Sequence, residues 1–169
     1  MPLSINDSYL DTVSICRADK DDVDEIIDLS ARLTVYSVSD VRKADYSGLE
    51  ERRRDDLSGL YGLIYDDSMI IYAAKGADGR ILGDIIVKLD NIEMMTGKAE
   101  GWLIDLSLEP EFWGSGIAAR LLEAAENRAR EQGIVYMGLT VTTSNARAVN
   151  FYYKMGYIKE RVQMFKELN

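Results

Sequence analysis

Apolar residues recur along the chain with two periods, and each period predicts a different kind of element. Within 12–18, Val13 and Ile15 alternate with smaller residues, which predicts a β-strand. Over 19–35 the apolar residues return at helical spacing, and acidic residues cluster at the start, where a helix dipole favours them. This stretch therefore predicts an amphipathic helix, and a second helix is predicted over 41–57.

The rest of the chain alternates between the same two periods. A turn rich in glycine and aspartate interrupts a strand pattern over 69–91 and predicts a hairpin. The later predicted elements are a strand over 99–110, a helix over 117–132, a strand over 134–143, a helix over 144–157 and one or two strands over 157–168. This order predicts an α/β protein with an α+β mixed sheet, partly antiparallel and partly parallel.

Length and composition are those of a soluble globular protein. The 169 residues fit one domain over 1–169, and 47% of them are apolar while 29% are charged. The net charge of −9 argues against a nucleic-acid partner and suits an amine-bearing one, because phosphate backbones are bound by lysine and arginine. No apolar run is long enough to span a membrane and no signal peptide is recognisable, so we expect a cytoplasmic protein with no membrane partner.

Two residue types that carry much enzyme chemistry are nearly absent. The chain has a single cysteine, Cys16, and no histidine. An internal disulfide and a histidine-based triad are therefore excluded, and no metal site of the usual zinc type is expected. A general base would have to be a carboxylate, a tyrosine or water.

A glycine-rich turn leads from the strand over 99–110 into the next helix. The run Trp113, Gly114, Ser115 and Gly116 would aim backbone N–H groups at one point, where the helix dipole favours an anion such as a diphosphate. Glycines at this spacing also occur in turns that bind nothing. The run matches the dinucleotide fingerprint GxGxxA as well, but the acidic residue that should follow about twenty positions later is missing.

Two motifs together resemble the signatures of the GNAT family of N-acetyltransferases. The first runs from Glu111 to Gly116, and the family usually has glutamine or arginine at the position of Glu111. A carboxylate there would lie near the diphosphate, so we expect this side chain to point away. The second motif consists of Asn145, Ala148, Phe151, Tyr152, Gly156 and Tyr157. With the strand between them, the two motifs cover roughly 100–157.

The resemblance implies a GNAT-like fold, whose six- or seven-stranded sheet is splayed between its fourth and fifth strands and flanked by about four helices. Acetyl-CoA would lie in the gap as co-substrate, because its pantetheine amides would replace the hydrogen bonds that the parted strands lose. The Leu106 N–H would face the thioester carbonyl as an oxyanion donor. Asn145 also has a sufficient role as a helix cap. The implied cofactor-binding residues are Leu106, Leu108, Trp113, Gly114, Ser115, Gly116, Ile117 and Asn145.

The catalytic candidates are a tyrosine and a carboxylate. Tyr152 occupies the position of the family's general acid, although Ala148 and Met155 at helical spacing also fit a core tyrosine. Asp105 lies inside the apolar run WLIDLSL and is the preferred base or amine anchor. Glu100 and water are alternatives for the base, and Asp105 also fits a hydrogen-bonded sheet residue.

These features favour an N-acetyltransferase that moves an acetyl group from acetyl-CoA to a primary amine of a small molecule or protein, by direct attack on the thioester. A non-catalytic acyl-CoA-binding sensor and a nicotinamide-dinucleotide-binding enzyme are the alternatives. Tyr36, Tyr46 and Met94 are candidates for lining the acceptor cleft. The identity of the acceptor stays open, and so does the question of whether the protein forms a homodimer.

Overall fold

One mixed sheet with the strand order β1–β2–β3–β4–β5 organises the chain in a computed structural model that describes residues 7–42 and 45–168. The first four strands pair antiparallel with their sequence neighbours, and β5 lies parallel to β4. The predicted mixed sheet is thus confirmed. The strands are β1 (Ser14–Arg17), β2 (Met69–Lys75), β3 (Ile81–Ile92), β4 (Ala99–Leu108) and β5 (Met137–Leu139).

The helices in the described part of the chain are α1 (Asp7–Leu10), α2 (Val23–Leu33), α3 (Leu49–Leu57), α4 (Leu60–Leu63), α5 (Ile117–Glu131) and α6 (Ala146–Lys154). Short 3-10 turns extend α2 at both ends, at Lys20–Asp22 and Thr34–Ser37, which confirms the helix predicted over 19–35. The second predicted helix, 41–57, is shorter than expected because α3 begins at Leu49; its residues 43 and 44 lie outside the described residues.

Helix α5 forms where the apolar spacing predicts it. Gly116 precedes it and Gly133 follows it, both with a left-handed φ, of 90° and 79°. Glycine adopts this conformation without the strain that a side chain would cause, so the helix starts and ends sharply. Its buried residues share one face and are Ile117, Leu121, Leu122, Ala125 and Ala129.

Helices cover both faces of the sheet. Leu121 of α5 belongs to the core on one face together with Ile85, whereas Ile26 of α2 and Leu57 of α3 belong to the core on the other face with Ile86. Ile85 and Ile86 are both fully buried, although neighbours along a strand point to opposite faces. Strand β3 is therefore covered on both faces over residues 81–87, and a polar side chain in that part of it is cut off from water.

The C-terminal part of the sheet is smaller than predicted. Strand β5 covers Met137–Leu139 instead of 134–143, and no strand forms within 158–168, so the sheet has five described strands rather than six or seven. Apolar residues do alternate in 158–168, but they are exposed: Ile158 and Met164 are each 87% accessible. Alternation produces a strand only where a neighbour supplies hydrogen bonds and a core covers one face, and this segment has neither among the described residues.

Candidate active site

The sheet opens along β4. Strand β5 pairs only with Gly101–Leu103, where the Gly101 N–H donates to the Tyr136 carbonyl at 2.9 Å. Beyond Leu103, β4 and β5 are no longer paired. One edge of 104–108 is therefore free of strand partners in the described chain, and the predicted splay between the fourth and fifth strands is confirmed.

A β-bulge decides which backbone groups face this opening. The register of β3 against β4 shifts at Ile104, which is an extra residue between Leu103 and Asp105. Upstream of the bulge, Gly101 directs its N–H to β5, whereas downstream the Glu109 N–H donates to a carbonyl of residue 82 on β3, at 2.8 Å. Because backbone groups alternate along a strand, the even-numbered residues after the bulge face the opening.

Leu106 and Leu108 are those even-numbered residues. The Leu108 carbonyl accepts a hydrogen bond from Nε1 of Trp113 at 2.8 Å, so this oxygen already has a partner. The backbone of Leu106 faces the middle of the opening, where the resemblance implies a donor to the thioester carbonyl. The structure therefore brings Leu106, Leu108 and Trp113 to one place.

The turn before α5 requires glycine for its backbone conformation. Gly114 and Gly116 have φ of 82° and 90°. Apart from the glycine and its chain neighbours, no atom of the described residues lies within 4 Å of the position that a Cβ would take at either residue, so the space in front of the turn is open. A side chain here would strain the backbone and project into that space.

The free N–H groups begin within the predicted turn and continue into the helix. The N–H groups of Trp113 and Ser115 are used inside the turn, with acceptors at 3.2 and 3.1 Å, and the Ile117 N–H donates to the Ser115 hydroxyl at 3.4 Å. No acceptor among the described residues takes the N–H groups of Gly114, Gly116, Ala118 and Ala119. Ala118 and Ala119 were not predicted from the sequence, although they belong to the first turn of a helix without a side-chain cap, which leaves such groups free.

Glu111 is directed away from the turn, as predicted. Its carboxylate forms an ion pair with Arg80, on the hairpin between β2 and β3, at 3.0 Å. Glu111, the unusual acidic residue of the first motif, is thus paired with Arg80, which also lies 3.7 Å from the carboxylate of Glu109.

Helix α6 adds a cation that the sequence analysis did not assign. The guanidinium carbon of Arg147 lies 3.1 Å from the centroid of the Trp113 ring and 5.7 Å from that of Tyr36. The two rings meet edge to face, with their centroids 5.0 Å apart. This stack joins the glycine turn to α6 and to the end of α2 and places positive charge beside the open N–H groups. Arg147 lies within the second motif, between Asn145 and Ala148, which was the available signal.

Asn145 caps helix α6. Its Oδ1 accepts a hydrogen bond from the Ala148 N–H at 3.1 Å, which is the structural role that the sequence suggested. The loop before it is fixed to the end of α2 by the Thr142 hydroxyl, which donates to the Ser37 carbonyl at 2.6 Å.

Tyr152 lies in a cluster of aromatic rings. Its ring meets those of Phe151 and Tyr157 at centroid distances of 5.2 and 5.7 Å. Burial raises the pKa of Tyr152 above its usual value, and the negative charge of Asp105 raises this pKa further. The phenol therefore keeps its proton at neutral pH, as a general acid must.

Asp105 is not an isolated carboxylate. Its Oδ1 accepts from Nη2 of Arg53 at 2.7 Å and its Oδ2 accepts from the Ser107 hydroxyl at 2.8 Å, while Nε of Arg53 donates to the Ser30 hydroxyl at 3.1 Å. These contacts give Asp105 the character of a hydrogen-bonded sheet residue, one of the two roles predicted for it. A carboxylate has about four acceptor sites, so about two remain for a substrate.

The other predicted residues are spread more widely. Glu100 accepts a hydrogen bond from Asn91 at 2.7 Å, and Met94 is 85% exposed in the turn between β3 and β4. Glu100 lies at the start of β4, about 13 Å from Ile104, where the open edge begins, at the usual rise per residue, and Met94 precedes the strand. Tyr46 is exposed in the loop before α3, whereas Tyr36 reaches the opening through its contact with Trp113.

The residues that the structure describes lack two features. They contain no group of three or more His, Cys, Asp or Glu side chains that would hold a metal ion. None of their helices is both long and apolar enough to cross a membrane.

Comparison with known proteins agrees with this geometry. The sequence model of the Acetyltransferase (GNAT) family matches residues 35–157. An uncharacterized N-acetyltransferase from Archaeoglobus fulgidus is 32% identical over 144 residues, which cover 83% of this chain and 89% of that protein.

Two solved structures share the fold. A putative acetyl transferase from Pyrococcus furiosus superposes with a TM-score of 0.76 at 22% identity, over 92% of this chain and 99% of that one. The PaiA N-acetyltransferase from Thermoplasma acidophilum, solved in complex with coenzyme A, superposes with a TM-score of 0.74 at 22% identity, over 89% of this chain and 92% of that one. From the family match and its relatives, the chain belongs to the GNAT family and is an acetyl-CoA-dependent N-acetyltransferase that uses an acceptor substrate.

Proposed function

We propose that this enzyme acetylates a primary amine by direct attack on the thioester, with Tyr152 as general acid and Asp105 as the residue that anchors the amine and accepts its proton. The observation that carries the proposal is that Tyr152 packs against the same core as Leu106, the residue that follows Asp105 on the open part of β4, and the charge of Asp105 raises the pKa of Tyr152. It means that a carboxylate from β4 and a phenol from α6 share one electrostatic environment. An acid and a base in one cleft are what amine acylation needs.

The opening fits acetyl-CoA, which supplies the activated acetyl group when bound. The free N–H groups at the start of α5, at Gly116, Ala118 and Ala119, suit a diphosphate. Arg147 supplies positive charge beside the turn. Leu106 directs its N–H towards the thioester oxygen, and this donor stabilises negative charge that develops there.

Two proton movements define the roles of the side chains. An alkylamine has a reference pKa near 10.4, so it is protonated at neutral pH and must lose a proton before it attacks. The open acceptor sites on Asp105 receive the ammonium group and then its proton. Tyr152, whose raised pKa keeps it protonated, donates its proton to the departing sulfur and regains one from the attacking nitrogen, which carries an extra proton after the attack. This chemistry uses no metal ion.

The acceptor is proposed to be a cationic amine, on a small molecule or on a protein. The chain carries a net charge of −9, which attracts cations over a distance and repels anions. Asp105 supplies the local carboxylate for such a group.

Free thiol release from acetyl-CoA, measured with a panel of amines, tests the proposal. Tyr152→Phe is expected to lower kcat by about 100-fold or more without changing the Kd for acetyl-CoA, because it removes only the donated proton. Tyr153→Phe is the matched control, since this neighbouring tyrosine is 50% exposed and should keep kcat within about twofold. Wild-type kcat in Tyr152→Phe would remove Tyr152 from the mechanism.

A thermal-shift comparison addresses the two alternatives. At about 100 times its Kd, acetyl-CoA should add about 2.7 kcal/mol to the unfolding free energy, whereas a nicotinamide dinucleotide should add nothing. Stabilisation by the dinucleotide alone would contradict the proposal. Stabilisation by acetyl-CoA without turnover of any amine would favour the sensor.

A further inference from the structure

Asp84 is a carboxyl group buried in the middle of the sheet. It lies on β3, is 0% exposed, and neither of its carboxyl oxygens has a hydrogen-bond donor within reach among the described residues. An ionised carboxylate in such a place is strongly unfavourable because it has lost water and gained no donor. Some feature of the surroundings must therefore make this group tolerable.

The neighbours of Asp84 are the partners of Asp105. Asp84 lies opposite Ser107 of β4, and Asp105 lies opposite Ile86, two residues further along β3, so the three polar side chains project from the same face. Arg53 of α3 and Ser30 of α2 complete the group through the hydrogen bonds described above. We call these five residues the carboxyl cluster: Asp84, Asp105, Ser107, Arg53 and Ser30.

A proton on Asp84 removes the cost of burying a charged carboxylate. As a carboxylate it can only accept, and so can Asp105, but a protonated Asp84 becomes a donor and Asp105 is the acceptor beside it. Burial raises the pKa of Asp84 well above its usual value, the charge of Asp105 and the hydrogen bond to it raise this pKa further, and Arg53 lowers it. These are the charges that face Asp84 from β4 and α3; β2 places Ala73 opposite it, and α2 contributes the neutral Ser30.

We propose that Asp84 is a positioning residue for acetyl transfer: it retains its proton and donates it in a hydrogen bond that holds the Asp105 carboxylate in place. The role rests on the proposed function of Asp105. With Arg53, Ser107 and Asp84 all donating to it, Asp105 is held from several directions. Asp84 takes one of the two acceptor sites that Arg53 and Ser107 leave open, and about one remains for the amine.

Which of the two carboxyl groups, Asp84 or Asp105, holds the proton also decides the net charge of the cluster. With Asp84 neutral, the positive Arg53 and the negative Asp105 balance, and the cluster carries no net charge. If both carboxyl groups were ionised, a second negative charge would lie in the sheet and would repel the first. Burial assigns the proton to Asp84, and Asp105 is the carboxyl group that pairs with Arg53.

The pH dependence of stability tests the proton directly. In the unfolded chain an aspartate loses its proton above about pH 3.9, whereas folded Asp84 keeps it, so wild-type unfolding releases a proton and folding weakens as pH rises. Asp84→Asn has the same shape, retains an N–H donor and cannot ionise. Its folding constant relative to wild type should therefore rise about tenfold per pH unit until the pKa of folded Asp84 is reached.

Urea unfolding of both proteins between about pH 5 and pH 8 measures this ratio. Asp22→Asn is the matched control, because Asp22 is also a buried carboxyl group but forms an ion pair with Lys75 at 2.6 Å. That substitution leaves Lys75 without its anion, so it should lower stability and show no gain with pH. A constant ratio between Asp84→Asn and wild type across this range would overturn the proposal, because Asp84 would then bind no extra proton in the folded state.

Turnover tests the positioning role. Asp84→Leu removes the donor at similar volume and should lower kcat at least about tenfold with the Kd for acetyl-CoA unchanged, and Asp84→Asn should recover most of that loss. A folded Asp84→Leu enzyme with wild-type kcat would end the positioning role. The stability measurement needs no substrate, so it reports on Asp84 even if amine acetylation fails, whereas an active enzyme with a constant stability ratio would contradict only the inference.

Discussion

The two sides of β4 are built from different parts of the chain. The cofactor side, along the open edge and the glycine turn, consists mainly of backbone groups within 106–119. The carboxyl cluster consists of side chains from β3, β4, α2 and α3. Backbone donors need only a local conformation, whereas the cluster needs four elements to pack correctly. Substitutions should therefore separate cofactor binding from turnover.

The largest expected effect is on the carboxyl cluster. Arg53→Gln leaves Asp105 without its cation and should lower the unfolding free energy by about 2–3 kcal/mol, because the pair is largely shielded from water, with side-chain exposures of 19% and 13%. We expect kcat to fall about tenfold or more and the Kd for acetyl-CoA to stay unchanged. Urea unfolding, steady-state kinetics and calorimetric titration measure the three quantities.

Arg54→Gln is the control for Arg53→Gln, since it alters the next arginine of α3. Its partners Asp28 and Glu50 are half exposed or more, so the loss should stay below about 1 kcal/mol. Equal losses in the two variants would mean that Arg53 acts only as a surface charge.

An intermediate effect is expected at the glycine turn. Gly116→Ala puts a side chain on a residue with φ of 90° and should raise the Kd for acetyl-CoA about tenfold, besides costing about 1–2 kcal/mol of stability. Gly133→Ala, with φ of 79° at the other end of α5, should cost similar stability and leave this Kd unchanged. If both variants weakened binding equally, strain in α5 rather than the turn would be responsible.

The smallest effect is expected where Arg147 stacks on the ring of Trp113. Arg147→Met keeps an apolar contact with Trp113 but removes the charge, and should raise the Kd for acetyl-CoA about three- to fivefold. Because the lost interaction is with phosphate charge, the difference from wild type should shrink at about 1 M salt. A difference that does not depend on salt would assign Arg147 to packing alone.

The parts of the fold that were predictable are those with local causes. Helix α5 follows from apolar spacing between two glycines, and both glycines have the left-handed φ that fixes its ends. The second half of the sheet was overestimated because 158–168 has the alternation of a strand without a neighbour to pair with. Spacing along a chain reports which face is apolar but not which edge is available.

Of the candidate site, the glycine turn and Asp105 were predicted from the sequence, and the other members of the carboxyl cluster were not. Arg53 is one of three consecutive arginines in a helix that is charged on all sides, so its sequence gives no reason to prefer it over Arg54. Asp84 did carry a signal, the same one that identified Asp105: a carboxylate inside an otherwise apolar strand.

The sequence by itself determined the glycine turn and the buried face of helix α5, because glycine at 114 and 116 permits a turn that other residues avoid and apolar spacing selects one helix face. Tertiary structure alone decided which side chains meet. The side chains that interact come from distant parts of the chain: Arg53, Asp84, Asp105 and Tyr152. Their charges affect one another's pKa values only when packing removes the water between them.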